Sequence, residues 1–85
     1  MKSPETAVLA TTNETVPVED VPVGTDIVIT AGERIPIDGL VIGGKAAVDE
    51  SSITGEAVPI PKIKDDSVYS GTIVQSGFLK VSYIQ

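Results

Sequence analysis

Gly39-Leu40-Val41-Ile42-Gly43-Gly44-Lys45-Ala46 decides the fold class of this chain. Its glycine and lysine spacing is that of a phosphate-binding P-loop, Gly-x4-Gly-Lys-Ser/Thr, with Ala46 where the final hydroxyl should stand. That hydroxyl normally helps hold magnesium, and the loop needs a following helix whose N-terminal amides face the phosphates. Here Ala46-Ala47-Val48 soon runs into Asp49-Glu50, and Leu40-Val41-Ile42 is an apolar run suited to a buried strand. Gly43-Gly44 separates two extended runs by two permissive residues, the arrangement of a tight hairpin. The segment is therefore expected to be a β-hairpin with residues 45–48 as its return strand. That makes the chain an all-β domain instead of an α/β nucleotide-binding one.

The rest of the chain agrees with that reading. No window carries a sustained helical period with caps, and β-branched runs are broken by Gly, Pro, Asn and Asp. Strands are expected over residues 7–11, 15–18 and 26–30, with turns at 12–14 and 31–32 and a connector at 21–24. Residues 35–42 read as extended, Pro36 and Gly39 marking an edge or bulge position. Val58-Pro59-Ile60-Pro61 is extended because two prolines forbid a helix. Lys64-Asp65-Asp66 turns the chain, and residues 67–75 and 78–84 close the sheet around Ser76-Gly77. In that last strand Leu79, Val81 and Tyr83 share one face, with Lys80 and Ser82 on the other. The expected architecture is a compact distorted jelly-roll or double-stranded β-barrel of about eight strands with little helix.

Composition narrows the functions available. Eighty-five residues make one small domain, and with one Phe, two Tyr and no Trp its core must rest on Val and Ile. The absence of Cys and His excludes a disulfide framework and a Cys/His zinc or copper site. A formal charge of −6 disfavours nucleic acid and anionic membranes, both of which reward basic patches. No run approaches the ~18 to 20 apolar residues needed to span a bilayer, and Met1-Lys2-Ser3-Pro4 leads into no signal-peptide core.

The chemistry concentrates in Val48-Asp49-Glu50-Ser51-Ser52-Ile53-Thr54-Gly55-Glu56-Ala57-Val58-Pro59. Gly55 permits a tight turn and the close approach of another surface. Thr54 supplies a hydroxyl that can brace the turn, and Glu56 a carboxylate that can hold and activate a water. Taken alone, Glu56 would be an ordinary solvated loop glutamate. Asp49 and Glu50 lack the spacing of a calcium loop. Asp38, ahead of Gly39, is expected to brace a turn through its own side chain.

This loop resembles the Thr-Gly-Glu loop of the actuator domain of P-type ion-pumping ATPases. Gly32-Glu33-Arg34-Ile35-Pro36-Ile37-Asp38-Gly39 is similar to the family's Gly-Glu-x-Ile-Pro-x-Asp-Gly segment, Asp49-Glu50-Ser51 and Pro59 fall at the expected offsets, and Gly71-Thr72 resembles a Gly-Thr that follows a short strand. The likeness spans roughly residues 16 to 84. Two departures stand out: Gly24-Thr25-Asp26 replaces the usual Gly-Asp, and Ala57 stands where many members have serine, as in some copper-transporting pumps. The resemblance implies that residues 1–85 are a single actuator domain, a cytosolic piece of a multi-domain membrane pump of the heavy-metal class. It implies that Glu56, Gly55 and Thr54 are catalytic, acting on an aspartyl phosphate held by a separate phosphorylation domain. Asp49, Glu50, Ser51 and Pro59 would support the loop, and Gly32, Pro36, Asp38, Gly39 and Gly71 the fold. The phosphorylation and nucleotide-binding domains of the same chain would be the partners, and the domain alone a monomer. ATP, Mg2+ and the transported ion would belong to other parts of the pump, with no cofactor here. The chain carries no Asp-Lys-Thr-Gly motif, so the isolated domain is expected to be inactive.

Two other readings remain open from the residues themselves. A small acidic β-domain could merely bind a protein partner, with Glu56 incidental. A glycoside hydrolase using Glu56 and Asp49 would need a cleft, usually aromatic-lined, for which the chain offers few side chains.

Overall fold

Residues 5–85 are described by a computed structural model; the expectations resting on Met1-Lys2-Ser3-Pro4 lie outside those residues. Seven strands form: β1 (Thr6–Leu9), β2 (Thr15–Pro17), β3 (Asp26–Thr30), β4 (Gly39–Asp49), β5 (Pro59–Lys62), β6 (Ser67–Val68) and β7 (Ile73–Tyr83). Among the described residues helix is confined to a 3-10 turn at Val18–Asp20 and one α-turn, α1, at Ser51–Thr54. The strands make one sheet in the order β2-β1-β3-β7-β4-β5, with β6 also pairing to β4. Every pairing is antiparallel. The all-β expectation with little helix holds.

The hairpin expected at Gly43-Gly44 does not form, nor does the chain break between strands at Ser76-Gly77. Gly43-Gly44 lies inside β4 and Ser76-Gly77 inside β7, and these two eleven-residue strands pair with each other along their whole length. Between the partners Val41↔Val81 and Gly43↔Lys80, Ile42 is an extra residue on β4; between Ala47↔Ser76 and Val48↔Val74, Gln75 is an extra residue on β7. Each bulge bends its strand and shifts the inward–outward alternation by one. This explains why Val41 and Val48, an odd number of residues apart, are both fully buried, as are Val74 and Leu79. In place of turns the glycines serve a close crossing. A Cβ on Gly77 would lie 2.3 Å from the Lys45 carbonyl oxygen, and one on Gly44 2.5 Å from that of Phe78. β4 merges the two strands expected over 35–42 and 45–48, and those expected over 67–75 and 78–84 regroup as β6 and the long bent β7, so the count falls from about eight to seven.

The core is aliphatic, as composition requires. Ile27, Ile35, Val41, Val48, Val74, Leu79 and Val81 have no exposure. Leu79 and Val81 point inward with Tyr83 packed beside them, while Lys80 is exposed. Burying one Val or Ile side chain stabilises by roughly 1.5–3 kcal/mol, so this set is the main force holding β3, β4 and β7 together. The P-loop alternative is displaced by the same geometry, since Gly39 to Lys45 lie in β4, which continues to Asp49 before the one-turn helix at Ser51–Thr54 begins. Among the described residues no helix is long and apolar enough to cross a membrane.

Candidate functional site

The loop at 49–58 starts where β4 leaves the sheet. Asp49 Oδ1 accepts the Ser51 N–H at 2.8 Å and so initiates α1. The Ser51 hydroxyl and then its amide hold the Asp49 carboxyl below the ordinary aspartate range. The Glu50 carbonyl accepts the Ile53 and Thr54 amides at 2.9 and 3.0 Å, closing the single helical turn. Gly55 ends it in the left-handed conformation, φ 79°, its N–H donating to the Ser51 carbonyl at 2.8 Å. An L-residue resists that conformation, whereas glycine takes it at little cost.

Thr54 braces the turn as its hydroxyl suggested. Its Oγ1 accepts the Glu56 N–H at 3.1 Å and lies 3.3 Å from the carbonyls of Glu50 and Glu56, to either of which it can donate its proton. Glu56 follows with its side chain exposed, and it takes part in neither of the ion pairs among the described residues, Arg34–Glu5 and Lys62–Glu50. Ile53 and Val58 flank it with 56% and 62% exposure, large values for such apolar residues. The turn's backbone polar groups hold its shape, and the one carboxylate at its tip faces outward.

Beneath the turn lies a buried ion pair. Glu50 and Lys62 side chains are only 12% and 10% exposed, and Glu50 Oε2 is 2.9 Å from Lys62 Nζ. That oxygen makes no hydrogen bond of ordinary geometry among the described residues, so it depends on the charge of the nearby ammonium. Lys62 also donates to the Ser67 carbonyl at 2.8 Å and sits 5.4 Å from the Tyr69 ring centroid.

The sequence motifs meet through a chain of contacts. Ser52 Oγ donates to the Gly71 carbonyl at 3.1 Å, which ties α1 to the turn before β7. Gly71 N–H donates to the Ile35 carbonyl at 2.8 Å, and Asp38 Oδ1 accepts the Ser70 N–H at 2.8 Å. Asp38 thus braces a distant turn through Ser70, and the expected bond within its own turn gives way to that one. Pro36 accepts the Ser70 hydroxyl at 3.4 Å through its carbonyl, and Gly39 opens β4 where a Cβ would strike Val81 at 2.3 Å. Gly32 sits in a turn closed by Glu33, whose Oε1 accepts the Thr30 N–H at 2.7 Å. Pro59 begins β5, paired with Asp49. Pro36 and Asp38 are tied to Ser70, beside Gly71, whereas Gly32 donates its N–H to the Val74 carbonyl and Gly39 pairs with Val68 and Tyr83.

Ser52, Lys62, Tyr69 and Ser70 were not legible as site residues. Their partners are separated by up to 34 residues, and no local pattern announces them. A groove of about 360 Å3 opens elsewhere, bordered by Glu5, Ala7, Ile29, Glu33, Arg34 and Pro36 among others. Neither Asp49 nor Glu56 borders it, so a glycosidase centred on that pair has no cleft there. No group of three or more acidic side chains among the described residues is arranged to hold a metal ion.

Fold and site define a small all-β domain that displays an exposed carboxylate on a braced turn, away from the groove beside Arg34. The chain belongs to the P-type ATPase actuator domain family, whose model matches residues 1–85. It is 48% identical over 80 residues to a cadmium/zinc-transporting ATPase of Arabidopsis thaliana, an alignment covering 94% of this chain and 8% of that protein. It is 50% identical over 66 residues to a probable copper-exporting P-type ATPase of Archaeoglobus fulgidus, covering 78% of this chain and 8% of the relative. The crystal structure of a zinc-transporting PIB-type ATPase in the E2.Pi state superposes with a TM-score of 0.88 at 30% identity, over 96% of this chain and 14% of that one. The chain therefore spans less than a tenth of these relatives and about a seventh of the solved pump.

Proposed function

We propose that this domain works within a heavy-metal P-type ATPase, where Glu56 promotes hydrolysis of an aspartyl phosphate carried by a separate phosphorylation domain. The observation that carries the reading is the outward carboxylate of Glu56 on a turn held by Thr54 and capped by Gly55. Phosphoryl transfer depends mostly on positioning and electrostatics, so one well-placed base can decide the rate. Docked on the phosphoaspartate, Glu56 orients the attacking water and accepts its proton as the P–O bond to the aspartate breaks and inorganic phosphate leaves. Gly55 keeps a Cβ out of the contact, and exposed Ile53 and Val58 give the turn an apolar rim to press against the partner surface.

In this reading residues 1–85 are the single actuator domain of a longer chain, lying in the cytosol beside membrane helices. Its rotation as a rigid body couples dephosphorylation to helix movement. ATP, Mg2+ and the transported ion are handled by the other domains, with which this one associates within a single chain. The relatives include a cadmium/zinc-transporting ATPase and a probable copper-exporting one, so the cargo is assigned at the level of heavy-metal cations. An interaction module without catalysis would leave Glu56 dispensable, which supplies the test. In the full-length pump, Glu56→Gln should phosphorylate from ATP normally and then retain its phosphoenzyme, because an amide cannot accept the proton. Phosphoenzyme decay at the normal rate would overturn the assignment.

A further inference from the structure

Lysines are seldom buried unless paired, because removing an ammonium from water costs several kcal/mol. Lys62, at the end of β5, is 9% exposed and directed inward beneath the Thr54-Gly55-Glu56 turn. An exposed lysine at the same edge of the sheet would serve solubility equally well. A buried ion pair is moreover weak grounds for stability, since an apolar replacement of both partners is often neutral or better. What the pair does hold is the position of Glu50.

Glu50 occupies the first corner of the turn, with φ −102° and ψ 18°, a sparsely populated conformation. Its carboxylate is fixed by Lys62 Nζ at 2.9 Å, and its carbonyl receives the Ile53 and Thr54 amides and lies within 3.3 Å of Thr54 Oγ1. Thr54 Oγ1 in turn accepts the Glu56 N–H at 3.1 Å. Lys62 is itself fixed from the other side by the Ser67 carbonyl at 2.8 Å and the Tyr69 ring. A continuous series of polar contacts therefore runs from the wall formed by residues 67–69, through a dehydrated ammonium, to the backbone of Glu56.

We propose that Lys62 is a positioning residue for dephosphorylation: through Glu50 it sets the angle at which the turn presents Glu56 to the phosphoaspartate. This rests on the function proposed above. Lys62 touches neither water nor phosphate in this role; it fixes the base of the turn whose tip does. A misplacement of the reacting groups by about 1 Å can cost on the order of 100-fold in rate, so a relaxed turn need not unfold to be slow. The charge matters because a neutral side chain of the same length fills the space without restraining the carboxylate.

The test uses the full-length pump and separates phosphorylation from dephosphorylation. Lys62→Met keeps most of the stem's volume and removes the ammonium; Lys62→Met combined with Glu50→Gln removes both charges and so relieves the unpaired carboxylate. Phosphoenzyme yield from ATP reports that each variant is folded. The expected result is a normal yield in the double variant with decay slowed at least ~10-fold, a slowing that restored stability does not reverse. In the Lys62→Met variant the decay is slowed at least as much where the yield is normal. Lys62→Arg, which keeps the positive charge, should recover part of the rate. A double variant that dephosphorylates normally would assign the pair to stability alone and overturn the proposal. The proposal fails equally if Lys62→Arg is as slow as Lys62→Met. Glu56→Gln, measured alongside, keeps the two levels apart. If it decays slowly while the Lys62 variants decay normally, only the positioning role fails; if it too decays normally, the catalytic reading fails with it.

Discussion

The crossing of β4 and β7 and the turn at residues 51–56 both depend on glycine, for opposite reasons. At the crossing, the missing Cβ of Gly77 makes room for the domain's own backbone, the Lys45 carbonyl 2.3 Å from where that atom would lie. At the turn, a Cβ on Gly55 would meet nothing within 4 Å. The first glycine answers to the fold. The second leaves room for something outside the domain, and only its left-handed φ concerns the domain itself.

That contrast can be broken by substitution, most severely at the crossing. Gly77→Ala combines a backbone clash with φ 81° and should cost more than about 3 kcal/mol in denaturant unfolding, a large part of a small domain's stability. A variant with an unchanged midpoint would show that the strands can part without penalty. Glu56→Gln inverts the balance. Phosphoenzyme decay should slow at least ~100-fold, about 2.7 kcal/mol on the barrier, with stability altered by less than about 0.5 kcal/mol. A destabilised Glu56→Gln domain would place that carboxylate in the fold's own network.

Gly55→Ala sharpens the comparison because it should register on both sides. The left-handed backbone costs about 1 kcal/mol in the isolated domain's melting, and the phosphoenzyme should accumulate because the new methyl meets the docked partner. Equal stability loss at Gly55 and Gly77 would erase the distinction. The smallest effect concerns Asp49, whose carboxyl is held below its ordinary value of 3.8 by Ser51. The unfolded chain takes up a proton there before the folded one does, so the stabilisation is complete above that value and fades as pH falls through the lower folded pKa. Asp49→Asn should flatten that acid limb in a pH series of melting curves, while a superimposable pair of pH profiles would deny the Ser51 contact any weight.

Much of this was visible in the residues, and the failures share a cause. The Val/Ile core, the face shared by Leu79 and Val81, the Asp65 turn and the bracing hydroxyl of Thr54 follow from local rules of period and turn chemistry. Gly43-Gly44 and Ser76-Gly77 misled because a hairpin and a bulged bend ask the same thing of a dipeptide, permissive backbone. What separates them is the length of the partner strand, and that is a property of the sheet. The order of motifs around Thr54-Gly55-Glu56 exposed the family without revealing what lies beneath the loop. Lys62 looks like any charged residue ending an apolar run until the tertiary fold closes Ser67 and Tyr69 over it. Asp38 likewise reads as a local turn residue, since Ser70 comes 32 positions later.

The sheet's two outermost strands share a property with consequences for the molecule in a crowded cell. β5 has proline at two of its four residues, Pro59 and Pro61, and β2 ends in Pro17. Each proline withholds the amide hydrogen that an incoming chain would need to continue the ladder. A bent, Val- and Ile-rich sheet with open rims would invite edge-to-edge polymerisation. With its rims blunted in this way, the domain resists recruiting its neighbours into a fibre.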